Sequence, residues 1–178
     1  MKSTWEAMEQ CCRLGLVNSI GVSNFSSKKL SQLLEHAAIP PAVNQVEMNT
    51  CWDQRKLREL CKEKGVHVTV VAAGRERSPV GIPLGYAEPR AEGDCYCKGE
   101  DGRTGCSQVA IRARRERVAK SYNKERMKEN LQIFDYELDE DDLKMIHNIP
   151  QKRGYSGEEF VSEDGPYKNV EELWGGEI

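Results

Sequence analysis

Three neutral hydrogen-bonding side chains follow two segments that have the pattern of buried strands. Ser23 and Asn24 end the run that begins at Ser19, and Gln45 lies near the end of the next such run. Parallel α/β sheets place ligands at the carboxyl ends of their strands, so these residues are candidates for a binding site. Their hydroxyl and amide groups suit an amide or another uncharged polar group of a ligand. The alternative is that they cap loops, as Ser and Asn routinely do.

A second group of candidate residues carries charge. Lys120 and Ser121 end a short strand-like segment, and the helix predicted to follow carries Arg126 on its first turn. The free N–H groups of a helix N-terminus and a guanidinium group both favour an anion, so this pattern predicts a phosphate site. Glu129 and Asn130 lie one turn later, within reach of a base or ribose. The alternative interpretation is a solvated charged face.

The cysteines give no comparable signal. There are seven, an odd number scattered along the chain, so we expect reduced thiols. Cys95, Cys97 and Cys106 form a weak metal candidate, because no histidine lies near them and a structural zinc site needs a fourth ligand. We therefore expect neither a metal site nor a disulfide framework.

Strand-like and helix-like segments alternate in the first half of the chain. Predicted strands begin near residues 19, 43 and 66, and the helices between them begin after Ser26-Ser27 and after Asp53 as candidate N-caps. A first helix over Thr4–Leu14 places Trp5, Met8 and Cys12 on one face and Glu9 elsewhere. Strands repeated at a helix-plus-strand interval predict an α/β fold with a parallel sheet.

This regularity fails after Val71. Residues 72–103 show little periodicity, Gln108–Arg117 predicts a helix with few apolar positions, and Arg117–Ala119 predicts a short strand. A helix over 124–133 follows with Asn123 as its N-cap, and another begins near residues 139–142. The tail, residues 151–178, keeps enough aromatic and apolar residues to pack against the rest of the chain.

Length and charge narrow the class of protein. The chain has 178 residues, enough for one domain but fewer than the ~250 of a complete eight-unit α/β barrel. Its formal net charge of -3 gives no electrostatic reason to expect binding to nucleic acid or to an anionic membrane. No apolar run approaches the ~20 residues that span a bilayer, and no segment of signal type follows Met1. We therefore expect a cytoplasmic protein.

Taken together and in this order, the candidate segments resemble the aldo-keto reductase family. The motifs are Ile20-Gly21-Val22-Ser23-Asn24-Phe25, Asn44-Gln45, and Val118-Ala119-Lys120-Ser121 with Arg126, Glu129 and Asn130. The resemblance covers the C-terminal half of the family, from Trp5 to Thr69 and from Val118 to Glu177. The tail, Phe160–Lys168 with Glu171–Trp174, is similar to the plant branch that includes deoxymugineic acid synthase and relatives of chalcone and codeinone reductases.

This resemblance implies an (α/β)8 barrel that binds NADPH and transfers its hydride to a carbonyl. The chain would form about the last four βα units of such a barrel, followed by an irregular tail. The implied contacts are Ser23, Asn24 and Gln45 with the nicotinamide carboxamide, Lys120, Ser121 and Arg126 with the adenosine 2′-phosphate, and Glu129 and Asn130 near the adenine. Because Lys and Arg gain energy only when the 2′-phosphate is present, the resemblance implies NADP(H) as the cofactor.

The chain departs from the family pattern in its catalytic residues. Family members use a Tyr acid assisted by Lys, His and Asp, all on the first four strands, and this chain has no match to them. His36, His67 and His147 do not match the family's His, and Tyr122 lies beside the phosphate motif. General acid catalysis needs a proton donor within hydrogen-bond reach of the carbonyl oxygen, so we assign no catalytic residue.

A second departure begins at the third strand. Val71 replaces the aromatic residue that stacks on the nicotinamide, and Ala72 replaces a hydroxyl near the pyrophosphate. Residues 72–117 scarcely resemble any reductase, which suggests an altered reading frame, a retained intron or a mis-joined exon.

Residues 1–178 are thus interpreted as a single truncated domain of an NADP-dependent reductase with little or no activity alone. Such a chain would take a small carbonyl substrate only if the missing half were supplied. One alternative is a non-catalytic NADPH-binding or regulatory module. The other is a non-functional product of a pseudogene or an incomplete gene model. Because four parallel strands leave two open sheet edges, self-association is a further expectation.

Overall fold

A computed structural model describes residues 1–48, 52–71, 116–118, 122–131, 140–141 and 156–177, with residues 144, 148, 150–151 and 153. The elements are α1 (Lys2–Arg13), β1 (Gly21–Ser23), α2 (Ser27–Leu34), β2 (Val43–Glu47), α3 (Arg55–Lys64), β3 (His67–Val71), β4 (Glu116–Val118), α4 (Lys124–Leu131), a 3₁₀ turn (Glu158–Phe160) and α5 (Val170–Trp174). The strand order is β1-β2-β3-β4, and β1 is parallel to β2. The predicted α/β class is confirmed.

The described contacts divide the chain into two compact units. The first comprises residues Met1–Val46, Gln54–Thr69 and Gly157–Ile178, and the second comprises Glu47–Asp53 and Val70–Ser156. The helices α1, α2, α3 and α5 belong to the first unit, and β4 and α4 belong to the second. No helix within the described residues is both long and apolar enough to cross a membrane.

The core of the first unit consists of two apolar clusters between the helices and the sheet. In one, Leu30 of α2 and Leu57 and Cys61 of α3 pack with Val46 of β2 and with Val66. In the other, Trp5 of α1 packs with Ile20 and Leu33. The predicted inward face of α1 is confirmed, because Met8 and Cys12 pack against the same cluster as Trp5. Burying apolar side chains at three- and four-residue spacing fixes the rotation of each helix against the sheet.

The predicted N-caps are correct at two positions and wrong at one. Ser26 is the N-cap of α2, where its hydroxyl accepts the Lys29 N–H at 3.4 Å, and Gly65 ends α3 in the left-handed conformation with φ of 70°. Asn123 caps α4, because its side-chain oxygen accepts the Glu125 N–H at 2.9 Å. The prediction that Asp53 caps α3 is wrong: the N-cap is Gln54, and the Asp53 N–H instead donates to the Gln151 side chain at 2.7 Å.

The segment after Val71 is described only in part. Residues 116–118 form β4, which confirms the short strand expected there and corrects the prediction of a helix reaching Arg117. Residues 72–115 and the cysteines Cys95, Cys97 and Cys106 lie outside the described residues. Most of the predicted helix after residue 139 lies outside them as well.

The tail packs within the first unit, as predicted. Leu173 is buried, and the Lys29 ammonium lies 4.2 Å from the centre of the Tyr167 ring and 5.7 Å from that of Trp174. Both carboxylate oxygens of Glu177 accept the Ser27 N–H, at 3.1 and 3.2 Å. A carboxylate at the N-terminus of α2 is favoured by the helix dipole and holds the end of the tail against that helix.

Glu9 departs from the predicted pattern, because it is buried rather than on the polar face of α1. It is 4% exposed, and one carboxylate oxygen accepts the N–H groups of Ala38 (2.7 Å) and Ile39 (3.0 Å). The other oxygen accepts from Arg13 at 2.9 Å. The hydrogen bond from Ile39 is the main reason that the pKa of Glu9 lies below its ordinary value of 4.5, and it outweighs the opposing effect of burial. Glu9 therefore ties α1 to the segment before β2.

This contact predicts a pH dependence. Because the pKa of Glu9 is lowered on folding, its stabilising contribution is present above about pH 4.5 and is lost as the pH falls through the folded pKa. We expect Glu9→Gln to lower the unfolding midpoint at pH 7 and to differ less from the parent chain towards pH 3. Urea denaturation of both proteins across this range measures the difference. A gap that stays constant or widens at low pH would contradict the assignment.

Candidate functional site

Ser23, the last residue of β1, is directly paired with Gln45, the middle residue of the longer parallel strand β2. Their Cα atoms are partners in the register of β1 and β2, and paired residues on adjacent strands project from the same face of a sheet. In β2, Asn44 and Val46 are buried, and Val46 packs against the helices. Gln45 therefore projects from the opposite face, away from the helices, and Ser23 projects beside it. The structure thus places Ser23 and Gln45 side by side, and their role in binding stays a prediction.

Asn24 completes this group through its backbone. Its N–H donates to the Gln45 carbonyl at 2.9 Å, which is the last described bond of the β1–β2 ladder. Its φ is 53°, in the left-handed region that Asn tolerates better than most residues. The chain turns out of the strand at this point, and the Asn24 side chain is exposed beside Ser23. These three polar side chains present hydroxyl and amide groups at one rim of the sheet.

Gly21 makes this close pairing of β1 and β2 possible. A Cβ atom at residue 21 would lie 2.7 Å from the Val43 carbonyl oxygen, which is closer than real Cβ contacts come. That oxygen belongs to the backbone of β2, so it moves only if the strand moves. The absence of a side chain at residue 21 thus sets the strand separation on which the alignment of Ser23 with Gln45 depends.

The sequence reading did not assign a role to Asn44, which the structure places directly behind this site. It is fully buried, its side-chain N–H donates to the Phe25 carbonyl at 3.0 Å, and its side-chain oxygen accepts the Phe25 N–H at 3.4 Å. The sequence did contain a signal for this role. Asn44 is a polar residue at an inward position of a strand that otherwise alternates between inward and outward residues. Buried polar groups are almost always hydrogen-bonded, so such a position asks for a specific partner.

The predicted phosphate group belongs to the second unit and is described in part. Arg126, Glu129 and Asn130 lie on α4, whose capped N-terminus agrees with the prediction, while their side chains lie outside what the structure describes. Lys120 and Ser121 also lie outside the described residues. On the same helix Met127 and Leu131 are exposed.

Among the described residues, neither the histidines nor Tyr122 supply an acid at the strand ends of the first unit. His67 is the first residue of β3, at its amino end, and His36 follows the C-terminus of α2. Helices that connect parallel strands run antiparallel to them, so both histidines lie towards the rim opposite Ser23 and Gln45. Tyr122, in the second unit, is 88% exposed.

A further polar group lies within the second unit, after β2. The Arg153 guanidinium stacks 3.9 Å from the centre of the Trp52 ring, and its charge acts on Glu47. Burial raises the pKa of Glu47, and the positive charge of Arg153 partly opposes this shift. Trp52 and Met48 are buried beside these charged residues. The sequence reading gave no sign of this arrangement, because it depends on residues about a hundred positions apart.

The described cysteines agree with the expectation of reduced thiols. Cys11, Cys12 and Cys61 are free. Burial raises the pKa of the Cys61 thiol to about 11, and its hydrogen bond with Asn44 acts in the opposite direction. Cys61 therefore behaves as a neutral core residue at physiological pH.

These features describe a parallel α/β protein with polar residues beside the end of a strand, and comparisons with known proteins show which proteins it is similar to. Residues 1–74 match the aldo/keto reductase family. The chain is 48% identical to the (1S)-1,7-diacetoxy-luvungin A aldo-keto reductase of Citrus sinensis, over 99% of this chain and 56% of that protein. It is 46% identical to deoxymugineic acid synthase 1 of Zea mays, over 100% of this chain and 57% of that protein. The chain is thus similar to aldo-keto reductases, as its motifs predicted.

Solved structures agree with this result. An aldo-keto reductase of the silkworm Bombyx mori, solved in complex with NADPH, superimposes with a TM-score of 0.72 and 27% identity. The match covers 93% of this chain and 51% of the silkworm protein. The chain thus spans about half the length of the relatives that it matches.

Proposed function

We propose that this chain binds NADPH through a nicotinamide site at Ser23, Asn24 and Gln45 and a 2′-phosphate site at Lys120, Ser121 and Arg126. The observation that carries the proposal is the direct pairing of Ser23, at the carboxyl end of β1, with Gln45 of β2. Their hydroxyl and amide groups match the donors and acceptors of a carboxamide, and the relationship to NADP-dependent reductases favours the same ligand. Glu129 and Asn130 would lie near the adenine.

The architecture we propose is the last four βα units of an (α/β)8 barrel. The described β1, β2 and β3 with α1, α2 and α3 supply consecutive strand and helix units of the kind that such a barrel repeats. The carboxyl ends of its strands form the face that binds ligands in these folds. Ser23 lies at such an end, and Gln45 is paired beside it.

We also propose that residues 1–178 alone do not reduce carbonyls. Hydride transfer to a carbonyl requires a proton donor at the developing alkoxide. His36 and His67 lie towards the opposite rim, and the chain has no match to the Tyr, Lys, His and Asp set of the family. Cofactor binding and chemistry are therefore separable in this polypeptide.

Equilibrium titrations of the purified chain with NADPH and NADH, followed by nicotinamide fluorescence, test the proposal. A hydrogen bond to a charged group contributes about 1.5–3 kcal/mol, so we expect NADPH to bind roughly 10- to 100-fold more tightly than NADH. The same preparation, mixed with NADPH and a panel of aldehydes and ketones, should show no oxidation of the cofactor above the buffer rate. Equal affinities for the two cofactors would contradict the phosphate site, and carbonyl-dependent oxidation would contradict the proposed inactivity.

A further inference from the structure

A fully buried amide lies directly behind the proposed nicotinamide site. Asn44 is 0% exposed, on the helix-facing side of β2, in a cluster of Leu30, Val46 and Leu57 that is otherwise apolar. Burying an amide among apolar side chains is unfavourable unless its donors and acceptors are satisfied. The burial of Asn44 in the core is therefore explained by the hydrogen bonds that its side chain makes.

The Asn44 side chain forms hydrogen bonds with both backbone groups of one residue, Phe25. Its side-chain N–H donates to the Phe25 carbonyl at 3.0 Å and its side-chain oxygen accepts the Phe25 N–H at 3.4 Å. It also forms a side-chain hydrogen bond with the Cys61 thiol. The amide thus takes the place of a neighbouring strand for Phe25, immediately after β1 has ended.

Two consecutive residues of β2 consequently fix two consecutive residues of the turn after β1. The Gln45 carbonyl holds the Asn24 N–H at 2.9 Å, and the Asn44 side chain holds Phe25. Between these two anchors Asn24 adopts a φ of 53°. A left-handed residue other than glycine persists where the surrounding structure over-determines it. The orientation of the exposed Asn24 side chain therefore depends on both anchors.

We propose that Asn44 is a positioning residue for the nicotinamide end of the cofactor. It acts through Phe25 and Asn24, and makes no contact with the ligand itself. Without the amide, the anchor at Phe25 is lost, and the Asn24 side chain samples orientations that do not match the carboxamide. This inference rests on the proposed function of Ser23, Asn24 and Gln45.

The test compares two ligands that share only one end. NADPH reaches both proposed sites, while adenosine 2′,5′-bisphosphate carries the 2′-phosphate and lacks the nicotinamide. We expect Asn44→Leu, which has a similar volume, to weaken NADPH binding about tenfold, because two neutral hydrogen bonds that hold the turn are lost. Binding of the bisphosphate should change by less than about twofold, since neutral substitutions away from its site leave charge contacts intact.

Thr69→Val is the matched control. Thr69 is also a buried polar residue of a central strand in the same unit, but its hydroxyl has no hydrogen-bond partner among the residues that the structure describes. We expect this variant to bind both ligands as the parent chain does. Circular dichroism and thermal melts of both variants, at the concentrations used for titration, establish that each is folded.

The possible results of these titrations distinguish a positioning role of Asn44 from the alternatives. Selective loss of NADPH affinity in Asn44→Leu supports the positioning role, whereas an equal loss for both ligands, or no loss, overturns it. If the parent chain binds the bisphosphate but shows no added affinity for NADPH, the nicotinamide site itself is wrong and this inference falls with it. Should Asn44→Leu fail to fold, hydrogen exchange on the parent chain decides: the Phe25 amide must exchange as slowly as the amides within β2, and rapid exchange overturns the clamp.

Discussion

Leu30→Ala is expected to lower the free energy of unfolding by about 3–5 kcal/mol, the upper part of the range for large-to-small changes in protein cores. Leu30 is 0% exposed and packs with Val46, Leu57, Cys61 and Val66. Its removal leaves a cavity bounded by two helices and a strand, which the surrounding elements fill only in part. Single domains are typically stable by about 5–15 kcal/mol, so this one change removes a large share of the total.

Urea denaturation followed by circular dichroism measures this loss, with Gln32→Ala as the control. Gln32 lies on the same helix and is exposed, so its replacement by Ala alters helix propensity slightly and leaves the core intact. We expect the control to remain within about 0.5 kcal/mol of the parent chain. A loss of similar size in both variants, or a loss below about 1 kcal/mol for Leu30→Ala, would show that α2 does not pack as described.

The sequence was sufficient for the elements of the first unit because each has a strong local pattern. The apolar positions of α2 and α3 recur at helical spacing, and their ends carry Ser26 and Gly65, whose conformational preferences are local. Strand positions were predicted to within about two residues, because alternation identifies a buried strand better than it identifies its ends. Gly65 ends α3 in a left-handed conformation that costs glycine little.

The incorrect predictions concern residues whose contacts are made with partners far away in the sequence. Glu9 lies four residues after Trp5, at the spacing of the inward face of α1, and only its charge favoured an exposed position. It is buried because the N–H groups of Ala38 and Ile39 lie opposite it. Asp53 is a good N-cap residue by type, but its N–H is bound by Gln151, nearly a hundred residues away. Helix propensity contains no information about either contact.

The candidate site shows the same difference between features set by local sequence patterns and features set by long-range contacts. Ser23 and Gln45 were predictable as a pair, because the carboxyl ends of parallel strands must meet at one edge of the sheet. Asn44 was not assigned a role, since an amide at an inward strand position indicates that a partner exists without indicating which one. The clamp on Phe25 is a tertiary contact, and only the structure identifies it. The sequence pattern thus identifies residues that would face a ligand. It identifies less readily the residues that hold them in place.

Arg126→Gln should weaken NADPH binding roughly 10- to 100-fold while leaving NADH binding within about twofold. A guanidinium binds a phosphate through two parallel hydrogen bonds with full charge, and the neutral amide of Gln retains at most a weak version of that contact. NADH lacks the 2′-phosphate, so its affinity does not depend on this contact. Competition titrations at constant ionic strength measure both affinities in the same preparation.

Lys128→Gln is the matched control, because it removes the same charge from an exposed position of α4. If Arg126 contacts the 2′-phosphate, the control should lose no more than about twofold of its NADPH affinity, since exposed charges are well screened by salt. Equal losses in the two variants would indicate that α4 attracts the cofactor only through its overall charge, as the solvated-face alternative requires. A specific loss at Arg126 would instead show that the helix opened by Asn123 binds the phosphate at one defined position, and that the preference for NADPH is encoded there.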